Sequence, residues 1–211
     1  LRRNSRAGGH GRRTGRGFQI MTSPFDRIAF FGQPSMRLFL IALAEQLKRR
    51  FGSEIHLYCY GPQQVRFYEN IERPDLFASI NDADILLPNS LLPVEDEAAE
   101  IARARAFEEK TGLTYNWLAI ASRHLGRGYA LGAPYFPRSP YSENSSYIQM
   151  LRAYNETLAY WERELAEKGI TLIVNGTRES AIMGRLRGIQ TRFMIESRFK
   201  NYRFWAHDEY D

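Results

Sequence analysis

The chain has 211 residues, of which 44% are hydrophobic, with a formal net charge of +5 and a sequence pI near 9.4. The apolar content is too high for a disordered chain, and the single cysteine excludes a disulfide scaffold. The length suits one large domain with a sizeable core, and the basic balance would suit a nucleic-acid or membrane-surface partner if it were spread over that domain.

The first twenty residues account for the positive charge. Residues 1–20 hold six of the 29 Lys and Arg residues and none of the 24 Asp and Glu residues, so residues 21–211 carry 23 basic and 24 acidic residues, a net of −1. The segment is rich in Gly and Arg and poor in apolar residues, so we expect it to be disordered. We interpret it as a tag or as residues upstream of a start at Met21; the alternative is an arginine-rich arm that binds RNA or an anionic lipid. The nearly neutral remainder predicts no nucleic-acid partner.

The first predicted unit is strand–helix–strand. Residues 28–31 are continuously apolar and end at Gly32, as in a buried parallel strand. Residues 36–51 carry apolar side chains at helical spacing, and residues 54–60 alternate as a second strand. The two strands of such a unit are parallel and joined by a right-handed crossover.

The rest of the chain repeats this alternation. Helices are predicted at 63–71, 94–110, 113–126, 147–168 and 178–186, and strands at 78–80, 170–174 and 191–196. Residues 84–88 are ambiguous between strand and loop, and residues 126–145 form a long stretch rich in Gly, Pro, Tyr and Ser. Continuous apolar strands alternating with helices predict an α/β fold with an open, mostly parallel, Rossmann-like sheet flanked by helices, so residues 21–211 form a single domain.

Two loops that directly follow strands are the first candidate sites, because ligands of open parallel sheets bind outside the carboxyl ends of the strands. Their Gly residues allow tight turns, and their helix-start N–H groups and arginines suit a phosphate or a sugar hydroxyl. The candidate substrate-binding residues are Gly32, Gln33, Ser35 and Arg37 in the first loop, and Asn175, Gly176 and Arg178 in the second. Neither loop has a dinucleotide or phosphate-loop pattern, and ordinary turn chemistry is the alternative for both.

A third candidate is the cluster of Arg123, His124 and Arg127 before a Gly-rich stretch. It could hold an anionic group, with His124 as acid or base; the alternative is a helix C-terminus, where such side chains interact with the last carbonyls. Glu109 and Glu179 are candidate general bases, against which stands an ordinary role as solvated helix charges. No spacing of His, Cys, Asp and Glu suits a metal, so none is predicted.

The aromatic residues at 202–205 follow the last predicted strand, where they could line a cleft. The longest wholly apolar run, Leu38–Ala44, is far below the roughly 20 residues of a membrane-spanning helix, so no such helix is predicted. The lone Cys59, without a secretory pattern, predicts a cytoplasmic location.

The order of four stretches carries a resemblance to a known family. A strand–Gly–helix opening at 28–47 is followed by FEEKTG at 107–112, by RHLGRG at 123–128 and, after a long aromatic helix, by VNG at 174–176. This order resembles the N-terminal half of bacterial capsular or surface polysaccharide biosynthesis proteins, which are similar to GT-B-type glycosyltransferases with two facing Rossmann domains. In such enzymes the N-terminal domain mostly holds the acceptor, and the C-terminal domain holds the nucleotide sugar.

The resemblance implies an acceptor-side glycosyltransferase domain in capsule or surface polysaccharide biosynthesis. It places both loops in an inter-domain cleft, with Glu109, Arg123 and His124 beside it. The implied partners are a glycan or lipid-linked acceptor and a nucleotide sugar as co-substrate, with no other cofactor; peripheral contact with the inner membrane would fit a lipid-linked acceptor. Without a donor-side domain, we expect no transfer by this domain alone. The alternatives are a non-catalytic ligand- or partner-binding module and a nucleotide-sugar epimerase-like protein.

Overall fold

The computed structural model of the protein describes residues 23–121, 145–199 and 202–207. These residues form one six-stranded sheet with helices on both faces. The strands are β1 (Arg27–Phe31), β2 (Glu54–Cys59), β3 (Ser79–Asp82), β4 (Leu172–Val174), β5 (Gln190–Glu196) and β6 (Arg203–Ala206). The helices are a 3-10 turn (Pro34–Met36), α1 (Arg37–Phe51), α2 (Pro62–Glu69), α3 (Leu86–Asn89), α4 (Glu97–Thr111), α5 (Tyr115–Ala121), α6 (Tyr147–Glu167) and α7 (Arg178–Leu186).

The order of the strands confirms the predicted fold class. Across the sheet they run β3-β2-β1-β4-β5-β6, and all neighbouring pairs are parallel except β5 with β6. This is the order of a doubly wound Rossmann-type sheet. The chain winds outward from β1 to β3, then returns to β4 on the other side of β1, so the topological switch point lies between β1 and β4.

The core has two layers because the central strands bury side chains on both faces. Ile28 and Phe30 of β1 pack with α1 and α2 on one face, where Leu40 is fully buried. On the other face, Phe31 packs with α4 to α7 around Trp161, whose ring centroid lies 5.1 Å from that of Phe31. Because β1 is buried on both faces, its sequence must be continuously apolar.

The helix ends have local causes in the sequence. α1 ends at Gly52, which has a φ of 68° and donates its N–H to the Lys48 carbonyl, as in a left-handed C-cap. α6 begins with a capping box, in which Ser146 and Gln149 each accept the other's backbone N–H. Thr177 caps α7 by accepting the Ser180 N–H.

The structure differs from the predicted elements in two places. Residues 84–88, which the sequence left between strand and loop, contribute to helix α3, because Leu86 and Leu87 pack onto the core. β6 was not predicted, and it is a short antiparallel strand with largely exposed residues. The predicted helix at 113–126 is described as α5 over Tyr115–Ala121, and its remainder and the stretch at 126–145 lie outside the described residues.

Candidate functional site

The sheet brings the two predicted loops together at the switch point. Phe30 of β1 pairs with Val174 of β4, so the residues that follow these strands are neighbours. A Cβ atom on Gly176 would lie 3.6 Å from the Phe31 ring, which shows how closely the second loop packs on the end of β1. Both loops therefore lie where open α/β sheets bind their ligands.

A ribbon of two strands flanks these loops on one side. β4 ends at Val174, opposite Arg192, whereas β5 continues to Glu196 and pairs there with β6. We call residues 193–196 and 203–206 the projecting ribbon, because they extend past the carboxyl end of β4. The ribbon is fixed to the second loop, since the Asn175 Oδ1 atom accepts the Met194 N–H at 2.8 Å.

The first loop and the projecting ribbon enclose a groove with a volume of about 720 Å³, which is in the size range of small-molecule sites. We call it the edge groove, because it opens at the carboxyl edge of the sheet. Its lining combines arginines with apolar and aromatic side chains. The lining residues are Pro34, Ser35, Met36, Arg37, Leu38, Phe39, Phe67, Met194, Arg203, Phe204 and Trp205.

Aromatic rings and other side chains hold the arginines of this region in place. The Arg37 Cζ atom lies 4.5 Å from the centroid of the Phe67 ring, and Arg178 lies in the same way over Trp117, at 4.8 Å. Such stacking holds a guanidinium while leaving its edge for hydrogen bonds. Arg203 pairs with Glu196 across the ribbon at 3.0 Å.

The other predicted residues of the two loops have mainly backbone or capping environments. Gln33 precedes the 3-10 turn and makes no side-chain capping bond, while Ser35 is exposed in that turn. Glu179 lies in the first turn of α7. Tyr60 lies in the loop that follows β2. Burial and, after it, the Glu179 carboxylate raise the pKa of the Tyr60 hydroxyl, so Glu179 and Tyr60 lie close enough to interact.

Glu109 is not brought to this site. It is exposed near the end of α4, where its neighbour Lys110 pairs with Glu162 of α6 at 3.3 Å. The adjacent Glu108 has a structural contact, since its Oε1 atom accepts the Tyr115 N–H at 2.7 Å and so fixes the start of α5. The predicted cluster of Arg123, His124 and Arg127 lies outside the described residues.

Sequence reasoning missed Phe67, Tyr68 and Arg203. The hydroxyl of Tyr68, a residue only 1% exposed, lies 3.5 Å from the position of a Cβ atom on Gly32. No spacing signal relates α2 to the first loop, because the contact is made only when the helix packs on the sheet. The aromatic residues at 202–205 were predicted to line a cleft, and Phe204 and Trp205 do line the edge groove.

Within residues 23–121, 145–199 and 202–207 there is no group of three His, Cys, Asp or Glu side chains that could hold a metal ion. In the same part of the chain, no helix combines the length and the apolar character needed to cross a membrane.

The fold and the groove define an open Rossmann-like α/β domain with a candidate ligand site at the carboxyl edge of its sheet. Comparison of the chain with protein-family models, with curated proteins and with solved structures finds no match. The assignment of a function therefore depends on the chemistry of the edge groove and on the sequence resemblance.

Proposed function

We propose that this domain binds an acidic glycan-type ligand in the edge groove and serves as the acceptor-side domain of a glycosyltransferase. The observation that carries the binding proposal is the presence of exposed aromatic rings and arginines in one groove at the carboxyl edge of the sheet. Phe204 and Trp205 are nearly half exposed, so their ring faces are open to a ligand. Aromatic faces suit ring-shaped ligands, and arginines suit phosphate and carboxylate groups.

The choice of a glycan acceptor as the ligand rests on the sequence resemblance. In that resemblance, the loops after the first and fourth strands face an acceptor, and these are the loops beside the edge groove. A second domain would supply the nucleotide sugar, which agrees with the absence of a dinucleotide or phosphate-loop pattern in either loop.

One feature of the groove favours a second candidate, a non-catalytic ligand-binding module. None of the described residues that line the groove is Asp, Glu or His, the side chains that most often act as general acids and bases. Glu179, in the first turn of α7, is not among the lining residues. In this candidate function the domain recognises its ligand without transferring a group.

Titration of the purified chain with neutral and acidic oligosaccharides tests the binding proposal, with calorimetry and tryptophan fluorescence as readouts. Trp205→Ala removes one ring from the groove, and we expect about tenfold weaker binding, since stacking on one aromatic ring contributes roughly 1–3 kcal/mol. Tyr147→Ala is the matched control, because Tyr147 is exposed on α6, which packs on the opposite face of the sheet. Equal binding by Trp205→Ala and the unaltered chain would exclude the edge groove as the site.

Nucleotide sugars in the same titration separate the candidate functions. The acceptor-side proposal requires oligosaccharide binding that exceeds nucleotide-sugar binding by this chain. Preferential binding of the nucleotide sugar would contradict it and favour an epimerase-like protein. Transfer activity that appears when a donor-side domain is added would support the transferase over the non-catalytic module.

A further inference from the structure

Three buried hydrogen-bond donors lie at the ends of β1 and β4. The Arg37 Nε, Tyr68 Oη and Asn175 Nδ2 atoms are buried and have no hydrogen-bond partner among the described residues. Tyr68 and Asn175 are 1% and 5% exposed as whole residues. Native proteins leave few buried polar atoms without a partner, so several donors in one region indicate a group that is bound there.

The orientation of the Asn175 side chain is fixed by the ribbon. Because its Oδ1 atom must face the Met194 N–H, its Nδ2 group is directed elsewhere as a donor. Asn175 also has a φ of 57°, the one positive value of a non-glycine residue within the described ranges. Backbone strain and an unmet donor in the same residue, at the switch point of the sheet, are typical of a ligand-binding position.

Tyr68 contacts the first loop from helix α2. Side chains of a helix point toward its N-terminus, so Tyr68, near the end of α2, extends up to Gly32, where a Cβ atom would lie 3.1 Å from the Tyr68 ring. Burial raises the pKa of Tyr68 to about 12, with the nearby Arg37 cation acting against this shift. The hydroxyl is therefore protonated at neutral pH and is able to donate.

Arg37 supplies the charge of this region. It lines the edge groove, and its guanidinium is held over the Phe67 ring. A guanidinium stacked in this way keeps its N–H groups in the plane of the fork, the geometry that matches the oxygens of a phosphate or a carboxylate.

We propose that an oxyanion of the ligand, a phosphate or carboxylate group, binds between Arg37 and Asn175, above the Tyr68 hydroxyl. The proposal rests on the proposed function and adds that the acidic group of the ligand determines its affinity. Arg37 lines the groove whereas Tyr68 and Asn175 are not among its lining residues, so the oxyanion reaches their donors through an ordered water. Gly32 allows Tyr68 to approach the first loop this closely, because a side chain at position 32 would meet the Tyr68 ring.

Calorimetry on the full chain with four probes tests the proposal: glucose, glucuronate, glucose 1-phosphate and inorganic phosphate. We expect an acidic sugar to bind at least about tenfold more tightly than glucose, because hydrogen bonds to charged groups are the stronger ones. Glucuronate carries a carboxylate and glucose 1-phosphate carries a phosphate, so their relative affinities show which oxyanion the site binds. Inorganic phosphate should compete with whichever of these two sugars binds more tightly. Equal affinities for glucose and both acidic sugars would overturn this inference alone. A folded chain that binds none of the probes and no oligosaccharide would overturn the proposed function.

Asn175→Asp is the sharpest variant. It keeps an oxygen for the Met194 N–H and replaces the free donor by an oxygen, so the preference for the acidic probe over glucose should fall at least about tenfold. Asn70→Asp is the matched control, because it makes the same charge change at an exposed residue that ends α2. Equal losses in the two variants, or no loss in Asn175→Asp, would contradict the proposal.

Tyr68→Phe and Arg37→Gln extend the test if Asn175→Asp does not fold. Tyr68→Phe removes only the hydroxyl, and Arg37→Gln removes the charge from a partly exposed side chain. Each should reduce the preference for the acidic sugar over glucose. Preferences that match that of the unaltered chain in both variants would exclude the two side chains from the oxyanion site.

Discussion

Gly176 tests how closely the loop after β4 packs against β4 itself and against the start of α7. A Cβ atom at this position would lie 2.6 Å from Ile173 Cγ2 and 2.6 Å from Ser180 Oγ. The φ of Gly176 is not positive, so alanine is compatible with the backbone and the effect of Gly176→Ala is steric. Neither neighbour moves easily, since Ile173 and Ser180 are fully buried and the Ser180 hydroxyl donates to the Thr177 carbonyl at 2.9 Å.

We expect Gly176→Ala to lower the free energy of unfolding by about 2–3 kcal/mol, the upper part of the range for overpacking in a well-packed core. For a domain of this size, that corresponds to a fall in Tm of roughly 5–10 °C. Urea unfolding followed by circular dichroism measures the change.

Ser180→Ala is the second substitution, which tests whether this loss of stability is steric. It removes one of the two atoms that the added methyl group would meet, so the double variant should be less destabilised than the sum of the single changes. A Gly176→Ala variant within about 0.5 kcal/mol of the unaltered chain would refute the close packing of Gly176 against Ile173 and Ser180.

Tyr58→Phe removes a hydroxyl that donates to the part-buried Glu164 carboxylate at 2.9 Å, and urea unfolding should show a loss of about 1–2 kcal/mol; an unchanged free energy would contradict the contact. Burial, with the Lys168 cation adding to it, lowers the pKa of His56 below 6.5. The unfolded chain therefore binds this proton more readily, and stability should fall as the pH drops from about 6.5 to the lowered pKa. His56→Gln should flatten that dependence in urea titrations, and equal pH profiles would exclude His56 as its source. Thr177→Ala removes the cap of α7 and should lower the free energy of unfolding by about 1 kcal/mol, measured by thermal denaturation; no fall in Tm would contradict the capping bond.

The strands with the clearest signal in the sequence are those buried on both faces. Residues 28–31 are continuously apolar because neighbours on both sides require it, and the structure has β1 over Arg27–Phe31. β6 gave no such signal, since it is an exposed edge strand that depends on pairing with β5 and on an ion pair. The apolar residues at 84–88 are compatible with several structures, and only their packing on the core selects the short helix α3.

The same distinction applies to the candidate site. Arg37 and Asn175 were predictable because the strand-end rule follows from chain order alone. Tyr68 was not, because its contact with Gly32 depends on how α2 packs across the sheet. The groove also needs the projecting ribbon, whose position is set by the bond between Asn175 and Met194 rather than by any pattern along the chain.

The packing of α4 and α6 places the two candidate bases, Glu109 and Glu179, at opposite edges of the sheet. α4 and α6 run side by side in the same direction, since Arg103 pairs with Glu156 and Lys110 pairs with Glu162. α6 leads into the beginning of β4, so Glu109, beside Lys110, lies toward the amino ends of the strands. Glu179 begins α7 directly after the end of β4, at the edge where the groove opens. Of the two predicted bases, only Glu179 therefore lies at the edge where the groove opens, and a role for Glu109 would require a ligand at the opposite edge of the sheet.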